Sequence, residues 1–532
     1  MRTLYLAVLI QPILSQQIWD VWQTTWDQSK LFSSLAPSQP INFANVTIRS
    51  AAQIAVDDTA TYQSVWGVGG SLTDSSALVL SNLKVQNPAN YRALLNYVFS
   101  PTDGANSAGL SYIRVPLGAS DFSAKRRAAM SHHILNLTWL SVWSFDDAAG
   151  DTSLNSFSAS RAPSYLYSVI RDIQAVNPLL KVHLVPWSPP GWMKTSGTMN
   201  GGSLQYQYIS TYAKYLLKCL QAFEAQGVTS LYAISVQNEP QNSQSSYPTT
   251  AMSVTVHAQI GIALRTLMNN NGFAQVKLIG YEHNWDSAGS YPIQLMKAAP
   301  HAFDGVAFHC YAGTVGQQDT FHAAYPAKEI YFTECAGTIG SDWWSDVKWY
   351  MDNIFLGAIT HNAHSALMWN IALDDGLPKL PGTTSCGGPG CRSIVQVNSD
   401  GTYSFNQEFY AMAQLSKAIL PKDVNGPWAK RIGVTVGGDQ GWALVVNAFV
   451  TGRAGPGDWL RYSLVVMNCN DNSDGWNPTP VKTAIEFRGM QATFTFPVGV
   501  TTLWWYAPPG GAGYNATEIV AESDDGQQRV FS

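Results

Sequence analysis

Glu239 and Glu334 each close an apolar run with the character of a buried strand. Leu231 to Val236 is mostly apolar and partly β-branched, which fits a sheet covered on both faces. Gln237, Asn238 and Glu239 then arrive together, and Pro240, which cannot donate to a ladder, stops the strand. Lys328-Glu-Ile-Tyr-Phe-Thr-Glu334 repeats the pattern and again ends on a carboxylate. A single glutamate after a strand is most simply a solvated loop acid. Two of them on parallel strands of one sheet face each other across its C-terminal edge. One carboxyl that gives up a proton beside one that stays ionised is the equipment for glycoside hydrolysis.

The elements that must position such a pair recur along the chain. Tyr62 to Gly67 leads into Gly67-Val-Gly-Gly70 and Asp74; Leu110 to Pro116 carries Arg114; Lys181 to Pro186 ends on Trp187. Leu231 to Val236 ends on Glu239, and Val276 to Gly280 ends on Tyr281, Glu282 and His283. Gly305 to Phe308 ends on His309 and Tyr311, Glu329 to Thr333 on Glu334, and Ser365 to Met368 on Trp369 and Asn370. Helical patterns such as Tyr206 to Ala225 and Met252 to Met268 lie between most of them. Eight strand–helix units with polar residues gathered at strand C-termini predict an α/β chain folded as a (β/α)8 TIM barrel, whose active site is built at that face. The polar, irregular stretch from Ala128 to Ser158 is expected to be a long loop there.

Past about Lys422 the character changes to short strands between turn residues, for example Trp442 to Val446, Tyr462 to Met467 and Ala492 to Phe496. These predict an antiparallel β-sandwich, joined by the strands that precede the barrel. The expected division is a signal peptide over 1–15, N-terminal sandwich strands over 16–60, the barrel over 61–420 and the rest of the sandwich over 421–532.

Hydrophobic residues make up 46% of the 532 and charged ones 13%, so a sizeable core is expected. A net charge of −5 argues against nucleic acid or an anionic membrane as partner. Nineteen tryptophans and 24 tyrosines suit either a large core or stacking on sugar rings. Arg2, the apolar run Leu4 to Leu14 and the small Ser15 have the form of a secretory signal, too short to span a membrane. Sequons at Asn45, Asn136 and Asn515 agree with a secreted, extracellular chain, and a monomer is expected. Cys386 and Cys391 close a tight Gly/Pro loop and form the clearest candidate disulfide. Cys310 and Cys335 follow two strand ends, as two thiols or as a bridge; Cys219 and Cys469 are expected to be buried thiols.

Other chemistries lack their motifs. There is no His-Glu-x-x-His and no Gly-x-x-x-x-Gly-Lys, and neither cofactor nor metal is expected. His361 and His364 fit a solvated helix face better than a ligand pair. His283 and His309 stand at catalytic-face positions, open to function or to packing. Trp343-Trp344 follows Glu334 closely, and sugar stacking and loop packing both fit it.

Gly67-Val-Gly-Gly-Ser-Leu-Thr-Asp74, Arg114-Val-Pro with Ser120-Asp-Phe-Ser123, Trp187-Ser-Pro-Pro-Gly-Trp-Met-Lys194, Asn238-Glu-Pro240, Phe308-His-Cys-Tyr-Ala-Gly313 and Thr333-Glu334 together resemble glycoside hydrolase family 30 over nearly all of the mature chain. The resemblance implies a barrel with a β-sandwich formed from both chain ends. It implies Glu239 as acid/base and Glu334 as nucleophile. It further implies a sugar site lined by Asp74, Arg114, Trp187, Asn238, Tyr311 and Trp369; by their positions in the chain, His309 and Trp343 are further candidates. Among the family's activities, Tyr281 to Trp285, Ser341 to Trp344 and Cys386 to Arg392 look most like fungal β-1,6-glucanases. The expected substrate is therefore a β-glucan polysaccharide or oligosaccharide. Glucosylceramidase and β-1,6-galactanase are the alternatives within the family, and a non-catalytic carbohydrate-binding cell-wall protein is the alternative outside it. Glu239 is expected to hold its proton because the charge of Glu334 disfavours a second one nearby.

Overall fold

The computed structural model describes residues 16–45, 48–123, 142–374 and 390–509. The expected signal segment 1–15, Cys386, the sequons at Asn136 and Asn515, and the last two residues of the Asn45 sequon lie outside the described residues.

Eight parallel strands close a barrel in chain order: Gly67–Ser71, Tyr112–Pro116, Lys181–Val185, Leu231–Ser235, Lys277–Asn284, Gly305–His309, Glu329–Glu334 and Ala363–Met368. The eighth pairs with the first from Ser365↔Gly67 to Met368↔Gly70. A helix packs outside after each strand, such as Ser164–Val176 after the second and Ile209–Ala225 after the third. In Ser164–Val176 the buried residues Leu166, Tyr167, Val169, Ile170 and Ile173 recur at three- and four-residue spacing, the apolar stripe that a barrel surface covers.

Alternation along each strand sorts its side chains. Ile113 and Val115 point to the helix layer, while Tyr112 joins Ala233, Ile279, Ala307, Tyr331 and Leu367 in a plug inside the barrel. The first strand can approach the second so closely because residue 69 is glycine. A Cβ there would stand 1.7 Å from the Tyr112 carbonyl oxygen. Above the plug the inward positions turn polar: Arg114, His183, Ser235, His309 and Thr333, all buried.

The second unit is a ten-stranded sheet built from both ends of the described chain. Gln17–Thr25 pairs with Gly499–Ala507, and Ala52–Ser64 pairs with Lys430–Gly437, both antiparallel. Ala52–Ser64 also pairs with Val481–Phe487 in parallel, so the expected antiparallel sheet is mixed at that point. The two strands are separated by the whole barrel, and no hairpin dictates their relative direction. Residues 62–64 finish this sheet strand, so the first barrel strand starts at Gly67 and not near Tyr62. Residues 142–158, the described end of the expected long loop, contain neither helix nor strand. No helix among the described residues is long and apolar enough to cross a membrane.

Candidate active site

At the C-terminal mouth the backbone is bent out of regular strand geometry. Glu239, Tyr281, Glu282 and Asn370 have φ of +46°, +68°, +56° and +63°, the left-handed region that side chains other than glycine seldom adopt. All four follow or end barrel strands. The fifth strand pairs Ala307 with Tyr281 and Phe308 with His283, so Glu282 is the extra residue of a bulge. That bulge turns its carboxylate inward. The backbone N–H of Glu239 donates to the Glu282 carbonyl at 2.9 Å, which ties the fourth strand's end to the bulge.

Glu334 is fixed at both oxygens. Arg114 Nη1 donates to Oε2 at 2.5 Å, and the Tyr311 hydroxyl donates to Oε1 at 3.0 Å. Arg114 Nη2 also donates to Asn238 Oδ1 at 2.6 Å and to Glu282 Oε2 at 3.0 Å. The guanidinium is fully buried; burial works against its charge, but Glu282 and Glu334 outweigh that and hold it protonated.

Glu239 has a different surrounding. Its Oε2 accepts from Asn242 Nδ2 at 2.8 Å. Its Oε1 lies 3.4 Å from His309 Nδ1 and 3.6 Å from His283 Nδ1. Burial alone would raise its proton affinity, yet the two imidazoles prevail and hold the carboxyl well below the usual range. This reverses the expected rise. The reason is that Glu239 has imidazoles from strands five and six within 3.6 Å, and hydrogen bonding to them favours the carboxylate. Burial would likewise depress His309, but Glu334, Glu239 and Glu282 raise it to about 9. In the free site the proton therefore rests on His309, in contact with Glu239.

Glu282 was not among the expected site residues, yet it sits at the centre of the polar layer. Its Oε2 meets Arg114 at 3.0 Å, the Thr333 hydroxyl at 2.8 Å and His309 Nε2 at 3.3 Å. Its Oε1 accepts from the Ser235 hydroxyl at 2.6 Å, with His183 Nε2 3.3 Å away. Burial raises this carboxyl, but Arg114 and His309 win and keep it ionised. The sequence did carry a signal, since Glu282 follows an apolar run as Glu239 and Glu334 do.

The remaining expected residues divide between the mouth and its walls. Asp74 begins the helix Asp74–Gln86 and accepts from Trp143 Nε1 at 3.3 Å. Trp187 and Trp369 stack on each other, ring centres 5.1 Å apart, and are only 3% and 2% exposed. Arg114 lies 4.9 Å from the Trp187 ring, so the indole pair forms a wall behind the guanidinium. Trp343 begins the helix Trp343–Tyr350 and packs edge-on against Tyr410. No hydrogen bond or ring contact among the described residues joins it to either glutamate. His361 meets Asp319 at 2.8 Å, and His364 stacks on Trp66, far from a shared ligand. Cys310 and Cys335, each one residue past a strand end, form a disulfide. Cys219 and Cys469 are free; Cys391 is disulfide-bonded, and its expected partner Cys386 lies outside the described residues.

Glu239, His283 and His309 bring one oxygen and two nitrogens within 4.8 Å of one another. That donor set has the composition of a zinc or copper site. His309 faces Glu239 with Nδ1 at 3.4 Å and Glu282 with Nε2 at 3.3 Å, so its ring is placed to donate to both carboxylates.

A closed parallel barrel with carboxylates at its C-terminal mouth is what a barrel glycoside hydrolase requires, and comparison with known proteins makes that assignment. Residues 65–353 match the family model described as the glycosyl hydrolase family 30 TIM-barrel domain. An endo-1,6-β-D-glucanase of Neurospora crassa is 32% identical over 391 residues, covering 69% of this chain and 73% of its own. One from Aspergillus fumigatus is 29% identical over 420 residues, covering 74% and 78%. The solved structure of the endo-β1,6-glucanase BT3312 superposes with a TM-score of 0.74 at 25% identity, over 92% of this chain and 99% of that one. The chain belongs to glycosyl hydrolase family 30.

Proposed function

We propose that this chain is a secreted, retaining endo-1,6-β-glucanase in which Glu334 is the nucleophile and Glu239 the acid/base. The observation that carries the assignment of roles is the contrast between the two carboxylates. Glu334 has both oxygens held by donors, Arg114 and Tyr311, which aims it rigidly. Glu239 keeps one oxygen against protonatable imidazoles, where a proton can be exchanged.

In the first half of the reaction Glu334 attacks the anomeric carbon while Glu239 protonates the departing glycosidic oxygen. A glycosyl ester forms on Glu334 and its charge is lost. In the second half Glu239, now a carboxylate, takes a proton from the water that attacks the same carbon, and Glu334 leaves. Two displacements give net retention. Asn238 accepts from Arg114 through Oδ1, which leaves its amide N–H groups free to donate to the sugar 2-hydroxyl. That bond strengthens as positive charge builds on the ring.

The β-1,6 linkage rests on the fungal glucanases and on BT3312, to which this chain is similar over most of its length. Secretion rests on the N-terminal apolar run Leu4 to Leu14. Purified protein assayed on β-1,6-glucan beside laminarin, β-1,6-galactan, xylan and glucosylceramide tests the substrate. The expected result is fastest release of reducing ends from β-1,6-glucan; faster turnover of glucosylceramide or galactan assigns the chain to another of the family's activities.

A further inference from the structure

A chain of side chains joins the two glutamates through the protein interior. Glu334 accepts from Arg114, Arg114 reaches Glu282 at 3.0 Å, Glu282 lies 3.3 Å from His309, and His309 lies 3.4 Å from Glu239. With His309 protonated the charges along this chain alternate in sign. Glu282 is its midpoint and is fully buried, so it acts on the cleft only through its neighbours. Its other contacts are neutral. Ser235 and Thr333 are hydroxyl donors, and burial holds His183 down to about 4. The charge of Glu282 is therefore balanced by Arg114, which is permanent, and by His309, which can lose its proton. The bulge at Tyr281 and Glu282 carries two consecutive left-handed residues, a conformation that persists only where surrounding contacts impose it.

We propose that Glu282 is a positioning residue that keeps the working proton on His309, from which Glu239 is charged before each turnover. The proposal rests on the reading of Glu239 as acid/base. The proton passes from His309 Nδ1 to Glu239 Oε1, leaving a neutral imidazole. Glu239 then delivers it to the departing glycosidic oxygen. In the second half the attacking water gives a proton to Glu239, which returns it to His309, so the protein ends as it began. The charged and titratable groups around His309 are Glu239 from strand four, Glu282 and His283 from strand five, Tyr311 from strand six, Glu334 from strand seven and Arg114 from strand two. Without the charge of Glu282, His309 Nε2 loses the carboxylate it faces, and Glu334 and Glu239 alone hold the imidazolium against burial and the field of Arg114, so the proton leaves at lower pH.

The test is ¹⁵N NMR of histidine-labelled full-length protein, paired with kinetics of Glu282→Gln and Glu282→Asp. In the wild type His309 should be an imidazolium at neutral pH. In Glu282→Gln the imidazolium should be lost at lower pH than in the wild type, with kcat on β-1,6-glucan above that pH down by about 100-fold and KM within about threefold, as befits loss of general acid catalysis. The basic limb of the kcat–pH profile should move to lower pH. An aryl β-glucoside with a dinitrophenolate leaving group, which needs no acid, should lose less than about tenfold. Glu282→Asp, which keeps the charge, should restore both the imidazolium signal and the basic limb. A neutral His309 in the wild type overturns the proposal, and so does Glu282→Gln with an unmoved pH profile and equal losses on both substrates. The wild-type spectrum needs no variant to fold and no particular glycan, so it decides the proposal even if β-1,6-glucan proves not to be the substrate.

Discussion

Arg114 Nη1 lies 2.5 Å from Glu334 Oε2, and the two side chains are 0% and 7% exposed. At that burial the pair is not a surface ornament. The guanidinium fork also reaches Asn238 and Glu282, so one side chain fixes the direction of Glu334 and of the residue beside Glu239. A lysine has a single point charge and cannot span three partners in a plane.

Arg114→Ala should cost about 3–5 kcal/mol of stability, because it leaves Glu282 and Glu334 buried without their shared cation. Arg114→Lys should fold better yet lose at least about 100-fold in kcat/KM, on the scale of a removed electrostatic stabiliser. Denaturant unfolding and steady-state kinetics on the two variants check this. Near-wild-type kinetics in Arg114→Lys would show that bidentate geometry is not needed.

The stability of the site should have a dome-shaped pH dependence. His309 is raised from 6.5 to about 9, so its contribution is complete below about pH 6.5 and is lost as pH rises through about 9. Glu239 is depressed from 4.5, so its contribution is complete above that value and is lost as pH falls below it. Tm should therefore be highest between about pH 4.5 and 6.5. The alkaline decline from His309 is at most on the order of 3 kcal/mol. His309→Gln should flatten the alkaline side; an unchanged slope would assign that decline to other groups.

Cys310 and Cys335 follow His309 and Glu334 directly, and their bridge closes a loop of sequence separation 25 between adjacent barrel strands. Replacing both by serine should lower stability by about 3 kcal/mol. It should also lower kcat, because the bridge holds the ends of the strands that carry Tyr311, His309 and Glu334. Chemical unfolding beside kinetics separates the two effects, and wild-type stability in the double variant would contradict the first.

Much of this arrangement is legible in the sequence. Apolar runs ending on polar residues mark seven of the eight strands, because a barrel strand is buried on both faces and only its C-terminal end meets the cleft; the first, Gly67–Ser71, is glycine-rich, and the run before it belongs to the other sheet. Arg114 joins Glu334 to Asn238, the neighbour of Glu239 in the chain. What was not legible depends on register between strands. The bulge that turns Glu282 inward contains no glycine to announce it. The two histidines that lower Glu239 come from other strands, and nothing local to Asn238-Glu239-Pro240 reveals them. The expectation built on Glu334 alone therefore had the wrong sign. Trp187 and Trp369 read individually as sugar platforms, yet the closure of the barrel stacks them on each other. The Cys310–Cys335 bridge was within reach, since two residues that each follow a strand end become neighbours once the sixth and seventh strands pair in parallel.

The central claim, that Glu239 and Glu334 cleave β-1,6-glucan by double displacement, is tested most directly by the anomer first released. Proton NMR of wild-type protein acting on β-1,6-linked gluco-oligosaccharide, read before mutarotation, should show the β-anomer. The α-anomer appearing first would mean that water, and not Glu334, attacks the sugar, and would contradict the account.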